Sequence, residues 1–81
     1  MPTRSELPSK LNRDKLAKAL TRLGFIISKK GGKGSHIKAT FIKTQKSITL
    51  PSNLHKHVLY YVIKEIEKYS DIVWDDIKKE L

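Results

Sequence analysis

The fold is decided by residues 37–50, which read IKATFIKTQKSITL. Apolar and polar side chains alternate over the first five of these residues, a period of two that is typical of a β-strand with one buried face. The segment TQK has the composition of a turn, and SITL then alternates again until Pro51 ends the second strand. The stretch therefore predicts a β-hairpin that buries one set of side chains and leaves the other set, with His36 and Lys38, on an open face.

A third strand precedes the hairpin. Residues 25–28, FIIS, have the aromatic and β-branched composition of a strand. The glycines at positions 31, 32 and 34 predict a turn between this strand and the hairpin. A phosphate-binding loop is disfavoured there, because the Walker spacing is absent and a strand follows instead of a helix. The three strands together predict an antiparallel meander.

Two amphipathic helices flank the strands. Asn12 is a suitable cap for the first helix, and Gly24 can adopt the left-handed conformation that ends it. The apolar positions between them have the spacing of a single buried stripe, and they are Leu16, Ala19, Leu20 and Leu23. Ser52 or Asn53 is the expected cap of the second helix, whose inner stripe is Val58, Leu59, Val62, Ile63 and Ile66.

The two ends of the chain complete the expected architecture. Ser70 is the expected cap of a short helix over residues 71–80, in which Ile72, Val73 and Ile77 dock with Trp74 beside them. Residues 1–9 contain two prolines and no periodic apolar face, so we expect a flexible arm there. Residues 10–81 then form a single domain.

The element order is α-β-β-β-α, followed by the short C-terminal helix. It predicts an α+β fold in which a three-stranded antiparallel sheet is covered by two helices on one face and is bare on the other.

The charge of the chain is strongly positive and unevenly distributed. The formal net charge is +9 over 81 residues. Residues 15–64 carry eleven basic residues and no carboxylate, whereas residues 65–81 are net −3. Protein surfaces ordinarily intersperse both signs, so this long basic stretch favours an anionic partner, and a polyphosphate backbone fits best.

The absence of cysteine excludes disulfides, thiolate nucleophiles and cysteine-ligated metal sites. No apolar run has the length of a membrane span, and the N-terminus lacks the apolar stretch of a signal peptide. We therefore expect a cytoplasmic protein without a membrane partner.

Three short motifs resemble those of the HicA family, the toxins of bacterial toxin–antitoxin systems. Residues 18–25, KALTRLGF, resemble the family's first helix running through Leu-Gly-Phe into a strand. Residues 34–36, GSH, resemble its Gly-Ser-His motif, and residues 48–51, ITLP, resemble the strand that ends in Leu-Pro. The resemblance spans roughly residue 11 to the C-terminus and implies a fold like that of double-stranded-RNA-binding domains.

The resemblance also implies an activity, an endoribonuclease (mRNA interferase) that cleaves messenger RNA without a metal or other cofactor and is neutralised by a HicB-type antitoxin. His36 corresponds to the family's catalytic histidine. The imidazole suits proton transfer because its pKa lies near neutrality, and the surrounding lysines favour its neutral form, which acts as a base. We expect RNA contacts from the residues around it, which are Lys29, Lys30, Lys33, Gly34, Ser35 and Lys38.

Other readings of the same residues remain open. The chain could be a non-catalytic RNA- or DNA-binding module of the same fold, or an adaptor whose basic body and acidic tail bind different proteins. His55 and His57 are two positions apart near a helix start and lack an acidic partner in sequence, which disfavours a metal site. Tyr60, Tyr61 and Trp74 are expected to be packing residues rather than platforms for bases.

Overall fold

The computed structural model describes residues 2–28 and 36–81, and it describes His36 by its backbone alone. These residues form an α+β protein with three α-helices and a three-stranded antiparallel sheet. A two-stranded ribbon and one 3₁₀ turn, Arg4–Glu6, accompany them. In chain order the elements are β1 (Lys10–Leu11), α1 (Arg13–Arg22), β2 (Phe25–Ser28), β3 (His36–Phe41), β4 (Lys46–Pro51), β5 (Leu54–His55), α2 (Lys56–Tyr69) and α3 (Trp74–Glu80).

The sheet is the predicted meander, with strand order β2-β3-β4. Phe25 of β2 pairs with Phe41 of β3, and their ring centroids are 4.9 Å apart. Ile37 pairs with Leu50 across β3 and β4. Alternate strand positions are buried, as the sequence pattern predicts, because each strand places every second side chain on the same face.

Helix α1 begins and ends where the sequence predicts. The Asn12 Oδ1 atom accepts hydrogen bonds from the backbone N–H groups of Asp14 at 2.8 Å and Lys15 at 3.2 Å, which satisfies donors that the first turn leaves unpaired. Gly24 follows the helix with a φ of 103°, a left-handed conformation that L side chains rarely adopt. The chain thereby passes from α1 into β2 through a turn of two residues, 23–24.

Helix α2 has the predicted apolar stripe but begins later than predicted. Neither Ser52 nor Asn53 caps it, because β5 follows them and pairs with β1 before the helix starts. His55 is the N-cap without a side-chain cap bond, and the Lys56 N–H donates instead to the Ser9 carbonyl at 2.9 Å. The buried stripe is Leu59, Val62, Ile63 and Ile66, with Val58 partly buried.

Helix α3 also begins later than predicted, at Trp74. Ser70 does not cap it: its Oγ donates to the Ile66 carbonyl at 2.6 Å and accepts from the Ile72 N–H at 3.1 Å, so it closes the end of α2. The Val73 N–H donates to Asp76 Oδ2 at 3.1 Å, and Val73 itself is exposed rather than docked. Trp74 and Ile77 are buried, as expected.

The N-terminal segment, expected as a flexible arm over residues 1–9, contacts the body of the protein. Leu7 is 3% exposed and belongs to the core cluster. The Thr3 N–H and hydroxyl donate to Glu6 Oε1, both at 3.0 Å, and these hydrogen bonds lower the pKa of the Glu6 carboxyl. The Arg4 guanidinium lies 4.3 Å from the centroid of the Tyr60 ring. A single buried leucine leaves no periodic signal, which is why the sequence pattern missed this contact.

Candidate nucleic-acid interface

Both long helices bury their apolar stripes in one core together with the inward strand positions. The opposite set of strand positions is exposed or half-buried. The register aligns them in rows across the sheet, with Ile26 beside Thr40 and Ser47, and Ser28 beside Lys38 and Thr49. We call this surface the open face, and its described members are Ile26, Ser28, Lys38, Thr40, Ser47 and Thr49.

The open face is mostly uncharged. Lys38 is exposed on the middle strand. The hydroxyls of Thr40 and Ser47 are 2.8 Å apart, so one donates to the other across the strands. Ile26 is 57% exposed, so one large apolar side chain lies among these polar ones. A surface of hydroxyls, one ammonium group and one isoleucine can bind phosphate oxygens and make apolar contact.

His36 is the first residue of β3 and pairs with Pro51, the last residue of β4. It therefore lies at the open end of the hairpin, two strand positions before Lys38, in the same alternating set. The other predicted site residues, Lys29, Lys30, Lys33, Gly34 and Ser35, lie outside the described residues. The structure thus places the His36 backbone on the same strand as Lys38. It does not test the other predicted site residues.

Several basic side chains lie away from the open face. Lys15, Lys18 and Arg22 are exposed on α1, and the Arg22 Nη1 donates to the Glu80 carbonyl at 3.0 Å. Lys43 lies in the turn that joins β3 to β4, Lys46 is the first residue of β4, and Lys43 Nζ lies 3.5 Å from Asp71 Oδ2. The expectation of a lysine-rich open face therefore concerns one described lysine, Lys38, and the undescribed segment before β3.

The predicted packing roles of three aromatic side chains have different outcomes. Trp74 is 5% exposed and Tyr60 is partly buried against the core, so both are packing residues as predicted. Tyr61 is 55% exposed, so the prediction of a packing role was wrong for it. The two tyrosine rings meet nearly at right angles with centroids 5.5 Å apart.

The ring centroids of His55 and His57 are 6.4 Å apart, and the described part of the chain contains no cluster of three His or acidic residues suited to a metal ion.

Sequence reasoning missed a concavity at the turn end of the hairpin. It has a volume of about 350 Å³ and lies between the β3–β4 turn and the C-terminal end of α2. Its walls come from residues 41–46 and 68–71, which are more than twenty positions apart. No local motif marks such a site, because only the packing of α2 beside the hairpin creates it.

The chain was also compared with known proteins. No family model, curated protein or solved structure matches it. None of the helices in residues 2–28 and 36–81 is long and apolar enough to cross a membrane. The described residues define a small basic α+β domain whose sheet has one face with exposed or half-buried side chains.

Proposed function

We propose that this protein is an endoribonuclease toxin of the HicA type, which cleaves messenger RNA without a metal ion. The observation that carries the proposal is the position of the backbone of His36, the last residue of the Gly-Ser-His motif. Its histidine begins β3, beside the end of β4 and two strand positions from the exposed Lys38. A histidine at the end of an exposed sheet face, two strand positions from a basic residue, is suitably located for a phosphodiester.

The fold supports the proposal at a second level. The HicA resemblance implies an arrangement like that of double-stranded-RNA-binding domains, in which two helices pack on one face of a three-stranded meander. The order α1-β2-β3-β4-α2 and the common core of helices and sheet agree with that arrangement. The added ribbon of β1 and β5 would be a feature of this chain.

The proposed chemistry needs few groups because RNA carries its own nucleophile. The 2′-hydroxyl attacks the adjacent phosphorus, and the bond to the 5′-oxygen of the next nucleotide breaks. Neutral His36 accepts the proton of the 2′-hydroxyl as a general base. The departing 5′-oxygen takes a proton from water, and the resulting hydroxide recovers the proton from the His36 imidazolium. The ammonium group of Lys38 stabilises the negative charge that develops on the phosphoryl oxygens.

The test of the proposal replaces His36 by Ala and measures cleavage of a labelled RNA in the presence of EDTA. We expect the wild type to cut and His36→Ala to lose cleavage while RNA affinity stays within about twofold. His57→Ala is the matched control, because His57 is an exposed histidine on a different element. Equal cleavage by His36→Ala and the wild type would refute the role of His36. RNA binding without any cleavage by the wild type would instead identify a non-catalytic RNA-binding module.

A toxin of this type requires an inhibitor, and we propose a HicB-type antitoxin that covers the open face. The exposed Ile26 offers apolar contact and Lys38 offers charge, so an acidic patch with an apolar centre is the complementary surface. Such a partner excludes RNA, because both ligands need the same face. Labelled RNA that bound at full affinity to the preformed complex would contradict this.

A further inference from the structure

The concavity at the turn end of the hairpin combines aromatic walls with basic side chains. Phe41 and Tyr69 contribute the apolar part of its lining. Phe41 is fixed in the core at 3% exposure, and Tyr69 is partly buried against the same core. Packing therefore holds both rings in place, and the Tyr69 ring is the more accessible of the two.

Three lysines line the same concavity. Lys43 and Lys46 come from the hairpin, and Lys68 comes from the last turn of α2, with its Nζ 5.7 Å from the centroid of the Tyr69 ring. One lining carboxylate, Asp71, opposes them through its contact with Lys43 at 3.5 Å. The lining charge is thus three positive and one negative, or net +2, which favours an anion.

The end of a helix ordinarily disfavours an anion, because its carbonyl groups carry partial negative charge. Two of the last four carbonyl groups of α2 accept hydrogen bonds here. The Thr44 hydroxyl donates to the Tyr69 carbonyl at 2.9 Å, and the Ser70 N–H and hydroxyl both donate to the Ile66 carbonyl. The Thr44 hydrogen bond also links the β3–β4 turn to α2, so the two halves of the concavity are joined before any ligand binds.

We propose that this concavity binds one nucleotide unit, with a base against the Tyr69 ring and a phosphate among Lys43, Lys46 and Lys68. Aromatic side chains stack on any base through its π-face, and lysines hold phosphate as point charges. A volume of about 350 Å³ lies at the lower end of the range for ligand pockets, which suits a single nucleotide and excludes a base pair.

The site lies at the opposite end of the hairpin from His36. Five residue steps along β3 separate His36 from Phe41, which amounts to roughly 17 Å. At the stacked spacing of about 3.4 Å per nucleotide, this distance corresponds to about five nucleotides. If the nucleotide is part of a substrate RNA, the inference rests on the proposed function. The concavity is then a remote subsite that increases the affinity for longer RNA. A free nucleotide carries the same base and phosphate and is the other ligand of this kind.

The test is an NMR titration of the ¹⁵N-labelled protein with uridine monophosphate, uridine, inorganic phosphate and RNA oligonucleotides of three and eight residues. We expect the monophosphate to shift the amide signals of Thr44, Lys46, Tyr69 and Ser70. Uridine and phosphate alone should bind at least about tenfold more weakly, because each lacks half of the contacts. The eight-residue RNA should shift these amides and those of the open face together, whereas the three-residue RNA should not reach both.

Matched variants test whether a lysine that lines the concavity binds the phosphate. Lys68→Gln should weaken binding of the monophosphate roughly fivefold, whereas Lys64→Gln should change it less than twofold. Lys64 is exposed one turn earlier on α2 and is not part of the lining, so both variants remove one charge from the same helix. Equal loss in both variants would show that only the overall charge matters and would overturn the site.

Other outcomes separate this site from the proposed ribonuclease. Binding here by a protein that cuts no RNA would keep the site and reject the ribonuclease. RNA cleavage without monophosphate shifts at the concavity would do the reverse. Equal affinity for phosphate and the monophosphate would overturn recognition of the base. Tighter binding of a short acidic peptide at the same amides would assign the concavity to a protein partner and overturn the proposal.

Discussion

Single side chains and single backbone angles set the ends of the helices. Asn12 caps α1 and Gly24 ends it, because a capping side chain and a left-handed backbone depend only on the next few residues. Ser70 was expected to cap α3, but its hydroxyl donates to the Ile66 carbonyl of α2 instead. Which of two adjacent helix ends a serine serves depends on the path of the chain, and the sequence does not give that path.

Gly24 provides a test at this scale. Gly24→Ala should lower the free energy of unfolding by about 1–2 kcal/mol, because its φ of 103° is unfavourable for alanine. An added Cβ would also meet the Phe41 ring at 3.4 Å. Urea unfolding measures the change, with exposed Lys15→Ala on α1 as the control. A loss no larger than that of the control would show that the turn tolerates a side chain.

At the scale of elements, the segments with a clear sequence pattern were predicted, and the two-residue strands β1 and β5 were not. Strands β3 and β4 and helices α1 and α2 each bury a stripe that their sequence displays. The ribbon of β1 and β5 has two residues in each strand, too few to show a period, and its existence depends on chain segments more than forty positions apart. Its formation delays the start of α2, which explains the wrong cap.

The packing of the N-terminal segment gives the test for this scale. Leu7→Ala should lower the free energy of unfolding by about 2–4 kcal/mol, since Leu7 is 3% exposed within the core. Leu81→Ala is the matched control and should cost less than about 1 kcal/mol, because Leu81 is 47% exposed. Urea unfolding of both variants decides between a docked segment and a loose arm, since a loose arm would give the same small loss in both.

At the scale of the whole molecule, the sequence indicates the kind of partner but not where it binds. The charge of +9 and the basic stretch over residues 15–64 are properties of composition and favour an anionic partner. The open face follows from strand alternation and was predicted with Lys38 on it. The concavity with Lys43, Lys46 and Lys68 was not predicted, because it forms between elements that are distant in sequence.

The salt dependence of RNA binding tests the electrostatic part of the account. If about four to six phosphates of single-stranded RNA are neutralised, log K should fall with log salt at a slope of roughly −3 to −4. Replacing Lys33 and Lys38 together by Gln should flatten the slope, whereas replacing Lys78 and Lys79 in the acidic tail should not. Fluorescence anisotropy at several salt concentrations measures it. A slope near zero would contradict electrostatic binding of the RNA. Equal slopes for both double variants would place the RNA away from Lys33 and Lys38.

The central claim is that the protein cuts RNA by using the 2′-hydroxyl of the substrate, with His36 as the base. The most direct measurement is cleavage, in EDTA, of an RNA oligonucleotide and of the same oligonucleotide carrying a single 2′-deoxy residue at the cleaved position. The account predicts that the RNA is cut with a 2′,3′-cyclic phosphate on the upstream product and that the 2′-deoxy position stays intact. Cleavage at the 2′-deoxy position, or activity that appears only when a metal ion is restored, would contradict it.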